Sequence, residues 1–240
     1  MSDAIVWHDV ENGGYDADLR LWRDLAQECE GPVLDLGAGT GRVALDLAEA
    51  GIEVTALDAD PVLLDELARR ARERGLDIAC VRADARSLAA FGRFALIIAP
   101  MQFVQILGGA SARAEMLSGV SACLPPGGTF AAAIADLDEA IAAEDAEPPV
   151  PDVGQHGKWI YSSLPLDVRP EPGGVAVEWL RQKVSPDGKL TDERHTQMLD
   201  SLQPDQFERE AAAWGLRPER RHEVSHTTAY IGSTVIVCRR

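Results

Sequence analysis

An apolar segment, Val33-Leu34-Asp35-Leu36, runs directly into Gly37-Ala38-Gly39-Thr40-Gly41, and a helical pattern begins at Arg42. Glycines at those positions let the backbone turn tightly and let a ligand approach the main chain with no Cβ in the way. The amides that open the following helix carry partial positive charge and face the same ligand. Asp58 closes the next strand-like run, and a carboxylate there can accept both hydroxyls of a ribose. Asp84 follows a third run, in Val81-Arg82-Ala83-Asp84-Ala85. Asp35, Asp58 and Asp84 thus fall at or near the C-terminal ends of three successive strands, the edge at which doubly wound sheets bind ligands. The dinucleotide fingerprint G-x-G-x-x-G wants glycine where Arg42 stands. A carboxylate-lined crevice suits a ligand that is cationic, carries adenine and ribose, and brings no pyrophosphate to repel.

The elements that must hold these residues follow from the alternation of short apolar runs with helical patterns. Strands are expected over 32–36, 53–57, 78–82, 94–99 and 129–135, with helices over 42–50, 61–74 and 110–124 between them and one over 16–30 ahead of the first strand. That order means a parallel sheet covered on both faces. The pattern then changes. Residues 144–157, rich in Pro, Gly and acid, read as a loop, and 158–199 read as a small, partly solvated antiparallel sheet with a Pro-Asp-Gly turn at 186–188. Pro204 opens a helix with Phe207, Ala211 and Trp214 on one face, and 217–224 and 234–239 supply two last strands.

The 240 residues carry 39 acidic and 23 basic side chains, a formal net charge of −16. Neutralising phosphates needs clustered Lys and Arg, and most basic residues here sit beside acids, so nucleic acid is not the expected partner. Cys29, Cys80, Cys123 and Cys238 are far apart with no CxxC pair and read as reduced thiols. The N-terminus has neither the basic nor the apolar region of a secretory signal, and no apolar run approaches the ~20 residues that span a bilayer. A cytoplasmic protein is expected.

VLDLGAGTG, ALDAD, RADARSL, FALIIAPMQFVQIL and LPPGGTF, in this order over residues 33–136, together resemble the class I S-adenosylmethionine-dependent methyltransferases. The resemblance implies a doubly wound, Rossmann-like α/β fold: a seven-stranded, mostly parallel sheet with helices on both faces. It implies one methyltransferase domain over 1–240, with 144–199 as a small antiparallel β insert that closes, with the N-terminal helix, over the cofactor. By the same resemblance Gly37, Ala38 and Gly39 pass under the methionine part of S-adenosylmethionine, with Asp35 orienting the loop. Asp58, with Ala59 beside it, holds the ribose hydroxyls. Asp84 accepts the adenine amino group next to Ala85, and Pro100 and Met101 line the floor under the sulfonium. Gln105, in the segment after the fourth strand, is counted among the cofactor-binding residues. Tyr15, in Gly14-Tyr15-Asp16, is similar to the Tyr-Asp pair of small-molecule N-methyltransferases acting on glycine or amino sugars, where the tyrosine lies over the cofactor near the methyl group.

Methyl transfer depends on alignment in a dry pocket, so a neutral amine needs only positioning, whereas an oxygen or carbon acceptor needs a nearby base. Tyr15 and His195 are the candidate catalytic residues, and a solvated strand histidine is the competing reading of His195. Where relatives often carry Asn and His after the fourth strand, Gln102 and Ile106 stand here. Asp136 and Asp138 read as a solvated strand end, and the five histidines share no metal-ligand spacing, so no metal is expected. Trp159, Tyr161 and Trp179 either wall a substrate pocket or hold the small sheet to the domain. Ala99-Pro100-Met101-Gln102 replaces the Asp/Asn-Pro-Pro-aromatic segment of nucleic-acid amino-methyltransferases. The expected function is methylation of a small-molecule amine on a sugar, amino acid or secondary metabolite. A nicotinamide-dependent oxidoreductase and a non-catalytic S-adenosylmethionine-binding protein are the alternatives. A small-molecule substrate, no nucleic acid and no membrane are the expected partners, and a homodimer is left open.

Overall fold

The middle strands are buried on both faces, and their sequences show it. β1 (Val33–Leu36), β4 (Leu96–Ala99) and β5 (Thr129–Ala135) are buried along their whole length as the near-continuous apolar runs VLDL, LIIA and TFAAAIA. In a computed structural model describing residues 2–88, 91–137, 150–227 and 230–240, they form the centre of a seven-stranded sheet. With β2 (Val54–Asp58), β3 (Ile78–Arg82), β10 (Arg217–Val224) and β11 (Ser233–Arg239), the order is β3-β2-β1-β4-β5-β11-β10. β1 pairs in parallel with both β2 and β4, and β11 alone runs antiparallel, against β5 and β10. The chain winds outward from β1 through β2 to β3 and then crosses back to β4. The order therefore reverses between β1 and β4, which opens a crevice beyond their C-terminal ends.

Alternation along each strand divides the core. Leu34, Leu36, Ile97 and Phe130 pack on one face with Phe207 of α6 (Pro204–Ala213) and Met116 and Val120 of α5 (Ala110–Cys123). Val33, Leu96, Ile98 and Ala131 pack on the other with Trp22 and Leu25 of α2 (Leu19–Cys29) and Val43 and Leu47 of α3 (Arg42–Glu49). α4 (Pro61–Arg74) begins where Asp60 Oδ1 accepts the Val62 amide at 2.8 Å, and it stops at Gly75 in the left-handed region.

β6 (Asp152–His156), β7 (Trp159–Glu171), β8 (Gly174–Val184) and β9 (Leu190–Asp200) form the separate antiparallel sheet, in that order. The expected turn at 186–188 joins β8 to β9. The expectation of a loop over 144–157 fails in part, because 152–156 pair with β7 as β6. Residues 144–149 and Asp138 lie outside the described residues. Trp214 is 41 % exposed rather than buried beside Phe207, since the helix ends at Ala213 and turns it outward.

The largest departure is at the N-terminus, where Asp3–Asn12 form a helix, α1, that periodicity alone did not announce. α1 is gripped by the small sheet. Glu11 accepts both Arg181 Nε (2.6 Å) and Nη2 (2.7 Å) and the Ser163 hydroxyl (2.8 Å), and Asp3 accepts the Tyr161 hydroxyl at 3.0 Å. Trp7 meets the Tyr161 ring edge-on with centroids 5.0 Å apart. On its other side Asp9 pairs with Arg70 of α4. Tyr161 thus holds α1 and Trp179 packs against Ala135, Val177 and Leu199, so both aromatics serve the attachment of the insert. No helix among the described residues is long and apolar enough to cross a membrane.

Candidate functional site: the glycine loop and its neighbours

The loop after β1 is fixed to β2 before any side chain acts. The Gly37 and Ala38 amides both donate to the Leu57 carbonyl, at 2.9 and 3.0 Å, and the Gly41 amide turns back to Ala38 at 2.9 Å. Gly37 and Gly39 have φ of +69° and +54°, a region that favours glycine. A Cβ on Gly39 would lie 2.3 Å from His8 Nε2, and one on Gly37 would lie 2.3 Å from the Phe103 ring, so both positions exclude larger residues. Asp58 completes the cradle: its Oδ2 accepts the Gly39 amide at 2.7 Å and its Oδ1 accepts the Asp60 amide at 2.8 Å. Each of those oxygens keeps a second lone pair for a ligand hydroxyl.

Asp35 is 1 % exposed, and its Oδ1 is buried without a partner. Burial pushes its pKa up to about 7, against the pull of Arg42 and with the help of Asp58 and Asp18. An orphaned, buried carboxylate oxygen is expensive unless a donor or cation arrives to meet it. The sign for the ligand-free protein follows. The pKa in the fold exceeds the ~3.9 of an unfolded chain, so the stabilisation is full below about pH 4 and is lost as pH rises to about 7. D35N removes this dependence. Melting of the two proteins from pH 4 to pH 8 should show wild type losing ground steadily to the variant, and parallel curves would mean that Asp35 is ionised throughout.

Behind the loop lies a buried polar network. Arg42 donates from Nη1 to Asp18 Oδ1 (2.6 Å) and from Nη2 to Asp18 Oδ2 (2.9 Å), and Trp22 Nε1 donates to the same carboxylate at 2.8 Å. Arg42 Nη1 also donates to the Tyr15 carbonyl at 2.9 Å, and its guanidinium lies 5.0 Å over the Tyr15 ring. Tyr15 is thereby fixed against Tyr230, with ring centroids 5.0 Å apart. Burial raises the Tyr15 pKa above its usual value, so at neutral pH the residue is a neutral hydroxyl and no base. A small cavity of about 50 Å³ opens here, lined by Tyr15, Met101, Gln102, Tyr230, Ile231 and Ser233 together with Ala135. Met101, just past β4, holds a φ of +54°, a strained conformation of the kind that clusters at functional sites.

Other predicted residues are placed differently. Gln105 is fully buried: its Oε1 accepts the Ala135 amide at 2.8 Å, and its Nε2 donates to the Ala135 and Asp200 carbonyls at 3.3 and 3.4 Å. It clamps the end of β5 to the end of β9, its two amide hydrogens and its oxygen turned to backbone groups rather than to a crevice. Asp84 caps the short helix Ala85–Ser87 and is held by Arg86, which draws its pKa down to about 2. Ala85 and Pro100 are buried and Ala59 is exposed. His195 stacks on Trp179 in the small sheet, 6.0 Å between centroids, and is absent from the lining of the cavity. Asp16, next to Tyr15 in the sequence, is exposed, and the buried carboxylate of this corner is Asp18, paired with Arg42. Arg42, Asp18, Tyr230 and His8 are the residues that sequence reasoning missed. The Arg42 side chain at the first position of α3, beside the buried Val43 and Ala44, was the available signal.

Residues 33–128 match the family model of the methyltransferase domain. A solved amino pentose methyltransferase from Micromonospora echinaspora, involved in calicheamicin biosynthesis and solved with S-adenosylmethionine bound, superposes with a TM-score of 0.75 at 16 % identity over 100 % of this chain and 98 % of that one. The chain has the class I methyltransferase fold. In sequence, this methyltransferase fold is 31 % identical over 138 residues to a cypemycin N-terminal methyltransferase of Streptomyces sp, covering 53 % of this chain and 56 % of that protein. It is 44 % identical over 82 residues to a demethylmenaquinone methyltransferase of Thermus thermophilus, covering 31 % of this chain and 36 % of that protein. The matched stretch thus spans little more than half of the first curated relative and about a third of the second.

Proposed function

We propose that the protein is an S-adenosylmethionine-dependent methyltransferase acting on a small-molecule amine. The residues present fit that cofactor. The glycine loop turns at positive φ with no side chains of its own at Gly37 and Gly39, Asp58 offers two carboxylate oxygens to a ribose, and Asp35 and Asp58 together make the surroundings of the loop acidic. When bound, S-adenosylmethionine supplies an electrophilic methyl group on a sulfonium. A nicotinamide dinucleotide is disfavoured because its pyrophosphate would approach the Asp58 carboxylate, while the nearby cation, Arg42, is already neutralised by Asp18.

The observation that carries the choice of acceptor is the lining of the cavity at Tyr15. Among the described residues it contains hydroxyl, amide and apolar groups and no carboxylate, histidine or lysine. Such a wall can orient an acceptor and exclude water, but it has nothing to remove a proton from an alcohol. An amine brings its own lone pair. Tyr15 and Tyr230 give an aromatic face for the substituted nitrogen, and the Ser233 and Gln102 side chains supply hydrogen bonds to it. The names of the cypemycin N-terminal and amino pentose methyltransferases support an amine acceptor. The test is transfer of labelled methyl from S-adenosylmethionine to paired acceptors: amino sugars, amino acids and peptide amines against the matched alcohols. Methylation of amines is the expected result. Label on alcohols alone would overturn the amine reading, and no label on any acceptor despite tight cofactor binding would favour a non-catalytic binding protein.

A further inference from the structure

His8, on α1, points at the glycine loop. Its Nδ1 lies 3.2 Å from the Thr40 hydroxyl oxygen, and that hydroxyl donates to Asp9 Oδ1 at 2.8 Å. Asp9 is paired with Arg70 and accepts from Thr40, so Thr40 has used its one proton there. Nδ1 must then be the donor to Thr40, which leaves Nε2 without a proton. Among the described residues no group of the chain hydrogen-bonds Nε2. It lies over Gly39, 2.3 Å from where a Cβ would stand, and the amide of that glycine is the one bound by Asp58 Oδ2. Two acceptors, the Asp58 carboxylate and the His8 Nε2 lone pair, therefore converge on the two sides of one glycine.

From this geometry we infer that His8 is a further cofactor-binding residue, whose Nε2 accepts a hydrogen bond from a ribose hydroxyl or from the methionyl ammonium of the bound cofactor. This rests on the cofactor assignment above and adds a contact from outside the methyltransferase core. It also gives α1 a reason to be gripped so firmly: the Glu11–Arg181 and Asp9–Arg70 pairs hold the helix at the register that seats His8 on Gly39. The small sheet thus acts on the cofactor through α1.

The probes are S-adenosylhomocysteine and methylthioadenosine, which share the ribose but differ in the amino-acid part. Calorimetry on wild type and H8F is expected to show about a tenfold weaker Kd for S-adenosylhomocysteine in the variant. An equal loss with methylthioadenosine identifies a ribose hydroxyl as the donor, and a loss confined to S-adenosylhomocysteine identifies the ammonium. Long-range proton–nitrogen NMR of the wild-type imidazole supplies the readout if H8F does not fold. Nε2 is expected to be unprotonated in the free protein and to shift on addition of S-adenosylhomocysteine. Affinities for both probes within twofold of wild type in folded H8F, or an Nε2 that carries a proton or does not move, would overturn the role of His8. Absence of binding to wild type would instead overturn the cofactor assignment.

Discussion

Asp58→Ala is expected to weaken S-adenosylhomocysteine binding between about ten- and a hundredfold, the range of ~1.5–3 kcal/mol for hydrogen bonds to a charged group. Two losses combine. The carboxylate would no longer receive the ribose, and the Gly39 and Asp60 amides would lose their acceptor, so the loop would have to be ordered by the ligand. Asp58→Asn separates them, because its carbonyl can hold one amide while the charge is gone, and an intermediate Kd is expected. Calorimetry reads both variants, with melting temperature as the control for the fold. An affinity unchanged in Asp58→Ala would remove Asp58 from the site.

Arg42→Met is expected to cost about 3–5 kcal/mol of stability, the usual consequence of leaving one member of a buried ion pair uncompensated. At this chain length that is a fall of roughly 10 °C in melting temperature. Arg42 and Asp18 have side chains only 11 % and 2 % exposed, so water cannot replace the lost partner. Adding Asp18→Asn to Arg42→Met removes the stranded charge and should recover part of the loss, whereas independent sites would add. The same network holds Tyr15 by its carbonyl and its ring, so turnover should fall in Arg42→Met even at temperatures where it is folded. A melting temperature within 2–3 °C of wild type, by the same ~2–4 °C per kcal/mol scale, would show that the pair is not holding the fold.

The cradle was legible because its requirements are local. A positive φ at Gly37 and Gly39, a strand end at Asp58 and a helix start at Arg42 each leave a mark within a few residues. The strands of the sheet were legible for a similar reason, since burial on both faces demands an unbroken apolar run. α1 was not, because its buried residues, Ile5, Val6 and Trp7, are consecutive rather than spaced along one helical face. They are buried by the small sheet and by α4, elements distant in sequence. Gln105 was misplaced for the opposite reason. Its motif sits where a ligand contact belongs, yet its amide is drawn inward by backbone groups of Ala135 and Asp200.

The sequence by itself determined the sheet, the glycine loop, the carboxylate at the end of β2 and, with these, the class of cofactor. All of them depend on backbone conformation and on residue type within short windows. Tertiary structure alone decided which polar groups are buried and with whom. It paired Arg42 with Asp18 and set that pair against Tyr15, and it brought His8 from a helix at one end of the chain onto Gly39. Desolvation and pairing are properties of three-dimensional neighbourhoods, and the residues that form these came from segments with no local signal of their meeting.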